Sequence, residues 1–363
     1  MHNPHNFSMS GDLKDLLGKL ACHPAPHHLT RLRQLIEYNT ERAENEPQAF
    51  LDMQFLNAIY DRFMPRDEKR EHLYLKRFEI PQIVLFDLLI NQFPLVSMSH
   101  GIVNDAIKHV IAEAPHAVLI DIGIGRGIQA AKLIQSISDA TRLKTLTVIG
   151  VEPFQEALTH AGEMVAKAAE QAPFKVIFIP VNCLVEKLMP EQLLSALPDE
   201  FDKLVVNASL IAHHIPSTAE RIAFFDMVRQ MQPDALLLTE PDSNHMESDW
   251  RQRVENAYTH YGNIFSIIDQ LAIGDFRRNG LKAFFAREIQ DVVSHSDDQR
   301  FERHERTSRW LEYLAKTGFR IGRQFSIGET WKAKEISCRQ ESPGLLAMRH
   351  KGINMISIVH AFV

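Results

Sequence analysis

Apolar residues along this chain change their spacing near residue 100. Up to about residue 96 they recur every three or four positions, as in LTRLRQLIEYN and FLNAIYDRFM. That period gathers them on one face of a helix. IPQIVLFDLLINQFPLV is more continuously apolar, which predicts a buried helix. Pro65, Pro81 and Pro94 are expected to punctuate the segment, because proline disfavours a helical residue before it. HGIVNDAIKHVIAEA, from His100, predicts one more amphipathic helix.

Beyond it short apolar runs and helical patterns alternate. The runs are AVLID (117–121), LTVIGV (146–151), FKVIFIPV (174–181), KLVVNA (203–208) and ALLLTE (235–240). Strands this continuously apolar, with helices between them, imply a parallel sheet covered on both faces. Residues 241–316 interrupt the alternation with helices, and GFRIGRQFSI and NMISIVHAFV close the chain as a strand pair. The expected class is α/β: the layout of a Rossmann-like methyltransferase sheet, mostly parallel with one antiparallel strand near the C-terminus, plus a helical cap. The expected division is a cap over 1–98 and a core over 99–363, with a cap insertion at about 241–316.

At 363 residues the chain is long enough for one large core or a core plus a cap. Its 40 basic and 46 acidic residues form no basic block, which predicts no nucleic-acid partner. Cys22, Cys183 and Cys338 lie far apart, as in a reducing compartment. MHNPHNFSMSGDLKD lacks the apolar centre of a signal peptide, and no apolar run reaches the roughly 20 residues of a membrane span. A cytoplasmic protein is the expectation. The 18 histidines are scattered without a zinc-ligand spacing, which predicts no metal. His304, in FERHERTSRW, reads as a surface histidine.

AVLIDIGIGRGIQAAKLIQ, from Ala117 to Gln135, reads as strand, glycine turn and helix. Its spacing is Asp121-x-Gly123-x-Gly125-x-Gly127, followed by Ile128. A dinucleotide fingerprint wants glycine or alanine at that last position. The carboxylate at the strand end would repel a pyrophosphate, whereas the ammonium and sulfonium of S-adenosylmethionine suit it. GVEP places Glu152 at the end of the second strand, where a carboxylate accepts ribose hydroxyls. Asn182 and Cys183, after the third strand, fall where an adenine edge would lie. The predicted cofactor is S-adenosylmethionine, with S-adenosylhomocysteine as product. Ile128 and Asp121 speak against a nicotinamide-dependent oxidoreductase.

Ligands of open α/β sheets bind beyond the carboxyl ends of the strands. The fourth strand ends at Asn207, a further cofactor candidate, and the fifth at Glu240. His213, His214, Glu240 and His245 are the candidates for base or orienting group, histidine because its ordinary pKa is near 6.5. His213 and His214 precede IPSTAER, which also fits a helix start capped by Ser217 with Glu220 three residues on. Arg253 or Arg287 could partner Glu240. Asn244, Tyr261 and Arg287 are the candidates for contacting the acceptor, although Trp250, Tyr258, Tyr261 and Phe265 share a spacing that fits helix core. RRN at 277–279 reads as a solvated turn.

Several segments in one order resemble the GRAS family. SHGIVNDAIKHVIA is similar to the helix of its first leucine-rich region, and AVLID stands at its VHIID signature. VVNASLIAHHI, TEPDSNH and RVENAYTHYGNIF resemble three further segments, through Asn207, His213, His214, Glu240, Asn244, His245, Arg253, Tyr261 and Phe265. REI at 287–289, ERHE at 302–305, Trp310, GF at 318–319 and the ending HAFV continue the order. The resemblance implies a bacterial-type member, because plant members commonly lose the glycines at 123 and 125. It implies a methyltransferase, and NASL at 207–210, unlike the N-P-P-Y pattern of enzymes that methylate amide or exocyclic amino groups, leads us to expect a small-molecule acceptor held between core and cap. The alternative is a GRAS-type scaffold that binds a ligand or a protein without catalysis. Exposed helices of the N-terminal segment leave a homodimer open.

Overall fold

The computed structural model describes residues 9–22, 24–63, 82–137, 142–325, 333 and 335–363. Pro65 and Pro81 lie outside them. The chain folds into two compact units, one from Met1–Phe93 and Ser243–Glu305, the other from Pro94–Asp242 and Arg306–Val363.

The first unit is helical. It holds α1 (Gly11–Cys22), α2 (Pro26–Arg42), α3 (Pro47–Phe63), α4 (Gln82–Gln92), α10 (Trp250–Asp269) and α11 (Asp275–Ser294). Helix α11 packs on α3, α4 and α10, and α2 packs on α3. Aromatic residues fill these seams: Phe55 meets Tyr258 at 4.9 Å and Phe93 meets Phe285 at 5.6 Å between ring centroids. Tyr258, Tyr261 and Phe265 are buried, as their spacing predicts for a helix core. Asp249 caps α10 by accepting from the Arg251 and Gln252 N–H groups. The expected turn at 277–279 is helix instead. Extended Gly274 caps α11 and the acidic Asp275 opens its first turn, so the three residues lie in the first two turns. Arg278 donates to the Leu271 carbonyl at 3.0 Å.

The second unit is built on one sheet. Its first elements are α5 (Pro94–Ile111), β1 (His116–Ile122), α6 (Ile128–Ser136), β2 (Thr145–Val151), α7 (Gln155–Ala169), β3 (Lys175–Val181) and α8 (Pro190–Leu194). They are followed by β4 (Lys203–Ser209), α9 (Thr218–Gln230), β5 (Ala235–Pro241), α12 (Thr307–Lys316), β6 (Arg320–Ile321), β7 (Ile336–Ser342), β8 (Leu345–His350) and β9 (Ile353–Phe362). Pro94 sits at the first position of α5, where its missing N–H costs nothing. The helix therefore starts before His100 and takes in the end of the preceding apolar run.

Strand order is β3-β2-β1-β4-β5-β9-β8-β7, with β6 also on β9. The first five strands are parallel, and β9 runs antiparallel to β5. This is a Rossmann-like methyltransferase sheet, and the expected antiparallel strand is β9. The sheet continues past it through the β7–β8 hairpin, which the expected terminal pair did not include. β7 alternates exposed and covered residues at the sheet edge, so its sequence ISCRQES carries no apolar run. Strands β1, β2, β4 and β5 are buried almost throughout. Helix α12 adds Trp310, Tyr313 and Leu314 to the core formed with Phe225 and Val228 of α9. Truncating so buried a tryptophan to alanine typically costs about 3–5 kcal/mol.

Candidate functional site

Strand order reverses between β1 and β4, and the predicted cofactor residues gather at the carboxyl ends of the strands around that point. The Gly123 and Ile124 N–H groups donate to the Val151 carbonyl at 2.9 and 3.1 Å, which ties the loop to β2. Gly123, Gly125 and Gly127 have φ of +80°, +54° and +74°, a region costly for residues with a Cβ. At Gly127 a Cβ would meet the Ala161 Cα of α7 at 2.9 Å, so glycine is needed for close packing. At Gly125 nothing lies within 4 Å, and the loop is open there.

Two carboxylates back this loop. Glu152, 8% exposed, accepts the Gly125 N–H at 3.1 Å and the Phe154 N–H at 3.3 Å. Burial pushes its pKa up to about 7, with the nearby Asp121 adding to the shift. Asp121, 3% exposed, lies opposite Asn207 in the β1–β4 register and accepts its amide N–H at 2.7 Å. Burial pushes Asp121 up to about 6, against the opposing effect of that bond. Asn182 donates to the Glu152 and Pro153 carbonyls at 3.1 and 3.0 Å and so holds the turn after β2. Cys183 turns its thiol toward the Leu184 carbonyl and Gln192.

A second cluster lies on the loop after β4. Leu210 there has φ of +56° and donates its N–H to the Thr239 carbonyl at 2.8 Å. Glu240, 1% exposed, accepts the Ile211 and Ala212 N–H groups at 3.1 and 2.7 Å. Its other oxygen meets His213 Nδ1 at 2.6 Å. The carboxylate thereby fixes the orientation of a buried imidazole, and His214 packs on that ring at 4.2 Å. Arg253, expected as a partner of Glu240, instead pairs with Asp297 at 2.8 Å. Ser217 caps α9 as its sequence predicts, accepting the Glu220 N–H at 3.2 Å.

The remaining candidates lie in the helical unit. His245 is wholly buried, and neither ring nitrogen has a hydrogen-bond partner. Its ring lies 4.5 Å from His304, 5.7 Å from Tyr261 and 5.6 Å from His260. Burial holds it well below the ordinary histidine pKa, with His304 adding to the effect. His304 is thus part of a buried cluster, not the surface histidine expected. Its neighbours come from distant parts of the chain, and it meets Glu302 at 3.2 Å. Tyr261 donates to Glu288 at 3.1 Å. Asn244 donates to Glu247 at 3.2 Å, and Arg287 lies 4.7 Å from the Phe284 ring centroid. The catalytic candidates are therefore divided: His213, His214 and Glu240 belong to the sheet unit, His245 to the helical one.

Sequence reasoning passed over His260, Asn104 and Gln129. Asn104 falls on the apolar stripe of α5, two residues after Ile102 and three before Ile107. A polar residue inside such a stripe is the signal that was there to find.

The Rossmann-like sheet thus carries a glycine loop backed by two acids at the carboxyl ends of its strands. The chain belongs to the GRAS domain family, which it matches over residues 25–337. It is 26% identical over 244 residues to the GRAS family protein RAD1 of Medicago truncatula, a match covering 64% of this chain and 46% of that one. It is 25% identical over 240 residues to the Scarecrow-like transcription factor PAT1 of Arabidopsis thaliana, covering 62% of this chain and 48% of the relative. The match thus spans about half the length of these relatives. The crystal structure of SCL7 from Oryza sativa superposes with a TM-score of 0.79 at 18% identity, covering 97% of this chain and 99% of SCL7. Among the described residues no helix is long and apolar enough to cross a membrane.

Proposed function

We propose that this chain is an S-adenosylmethionine-dependent methyltransferase acting on a small-molecule acceptor. The observation that carries this reading is the bond from the Gly125 N–H to the Glu152 carboxylate. A dinucleotide fold offers such loop N–H groups to a pyrophosphate. Here the N–H faces an acid, with a second acid, Asp121, at the neighbouring strand end. Two buried carboxylates disfavour phosphate and favour a ligand that brings positive charge and hydroxyls.

S-adenosylmethionine has that chemistry, and when bound it supplies an electrophilic methyl group. The loop is open at Gly125; there Asp121 would meet a cationic end, Glu152 the ribose hydroxyls, and Asn182 and Cys183 an adenine edge. Asn207 holds Asp121 in place. His213, oriented by Glu240, is the leading candidate to receive a proton, with His214 packed on its ring. Gly123 and Gly125 support the assignment to the bacterial-type branch.

The second reading is a GRAS-type scaffold that binds a small ligand or a protein without catalysis, compatible with the names of its relatives. One of them is named a transcription factor, so the acidic balance of this chain is no ground for excluding nucleic acid. The test is incubation with methyl-labelled S-adenosylmethionine and a small-molecule extract. Label in an organic product supports the enzyme. Binding without transfer to any acceptor supports a ligand-binding scaffold, and absence of binding removes the enzyme and leaves the protein-interaction scaffold.

A further inference from the structure

Asp121 is held by a chain of side-chain amides whose directions all follow from one backbone carbonyl. The Gln129 carbonyl can only accept, and Asn104 Nδ2 donates to it at 3.1 Å. The Asn104 oxygen must then be the atom facing Gln129, and Gln129 Nε2 donates to it at 3.3 Å. That leaves Gln129 Oε1 for Asn207, whose Nδ2 donates to it at 3.5 Å. The other Nδ2 hydrogen goes to Asp121 at 2.7 Å, and the Asn207 oxygen accepts from the Ser209 hydroxyl at 3.0 Å. Asn104, Gln129 and Asn207 are all buried, so the relay is shielded from competing water.

We propose that Asn104 and Gln129 are positioning residues for the Asp121 carboxylate: they fix the polarity of the Asn207 amide, so that it presents N–H and not C=O to Asp121. An amide reversed at Asn207 would bond Asp121 only in its protonated form. A donor there favours the ionised form that a cationic ligand needs. The consequence for ligand binding rests on the cofactor reading above; the polarity of the relay does not.

Asp121 is faced by Asn207 from β4 and by Glu152 at the end of β2. The other titratable groups of α5 and α6 are His100, Asp105, Lys108, His109 and Lys132, and Arg126 lies in the loop. Lys108 pairs with Asp105 at 2.7 Å, and His100 feels Lys132. Glu152 is thus the charged group that must be followed alongside Asp121.

The test is the titration of the Asp121 carboxyl carbon by NMR in ligand-free protein, assigned with Asp121→Asn, in wild type, Asn104→Leu and Gln129→Met. The two variants guard against failure of either to fold. S-adenosylhomocysteine binding is measured on the same samples near pH 6 and pH 8.5. The expected result is a midpoint raised by about one pH unit in both variants, with affinity down roughly fivefold near pH 6 and little changed near pH 8.5. An unmoved midpoint, or an affinity loss equal at both pH values, overturns the relay. A raised midpoint in a protein that does not bind S-adenosylhomocysteine leaves the relay standing and removes the cofactor reading.

Discussion

The Gly125 N–H donates to the Glu152 carboxylate at 3.1 Å, so the mouth of the glycine loop is lined by an acid. Substitutions in this loop separate folding from binding. Gly125→Val places its side chain in open space at φ of +54°. It is expected to fold with a loss of about 1–2 kcal/mol and to weaken S-adenosylhomocysteine binding by ~100-fold or more. Gly127→Val drives its Cβ into Ala161 and is expected to lose the fold as well. Thermal melts and calorimetry on the two variants check the contrast.

Asp121 sets stability against function. Its folded pKa of about 6 lies above the ordinary 3.8, so ionisation disfavours the folded state. The penalty is absent well below pH 4, grows as pH rises to 6 and is complete above that. Asp121→Asn should therefore stabilise the ligand-free protein by up to about 3 kcal/mol near pH 7.5 and hardly at all near pH 4. It should weaken S-adenosylmethionine binding at the higher pH. Denaturant melts at both pH values give the first quantity and calorimetry the second.

His245 carries the opposite sign. Its folded pKa lies below the ordinary 6.5, so the unfolded chain takes up a proton first as pH falls. Its neutral burial supports the fold above pH 6.5 and is lost progressively below it. His245→Phe keeps a ring beside Tyr261 and His304 and removes two unpartnered nitrogens. The variant is expected to gain stability relative to wild type as pH drops below about 6.5. A constant difference across that range would contradict the assignment of a neutral, desolvated imidazole.

Ser217→Ala tests the start of α9. Ser217 accepts the Glu220 N–H and donates its hydroxyl to the Glu220 carboxylate at 2.7 Å. Its loss should cost about 1 kcal/mol in a denaturant melt. Binding of S-adenosylhomocysteine should be unaffected.

What the sequence made legible was local. The strand-turn-helix around Gly123, Gly125 and Gly127 needs only neighbouring residues, and the buried strands announce themselves as apolar runs. The cap at Ser217 is equally short-range. Strand β7 was hidden because an edge strand half in water has polar alternate positions. The burial of His304 was hidden because His245 and His260 reach it from elsewhere in the chain. The same holds for the relay: Asn104 and Gln129, 25 positions apart, come into contact only when α5 packs on α6.

Calorimetric titration of the purified wild-type chain decides the identity of the ligand. S-adenosylmethionine and S-adenosylhomocysteine are titrated in turn, with NADH as the control. Micromolar binding of the first two and none of NADH is the expected result. Binding of NADH, or of none of the three, would contradict it.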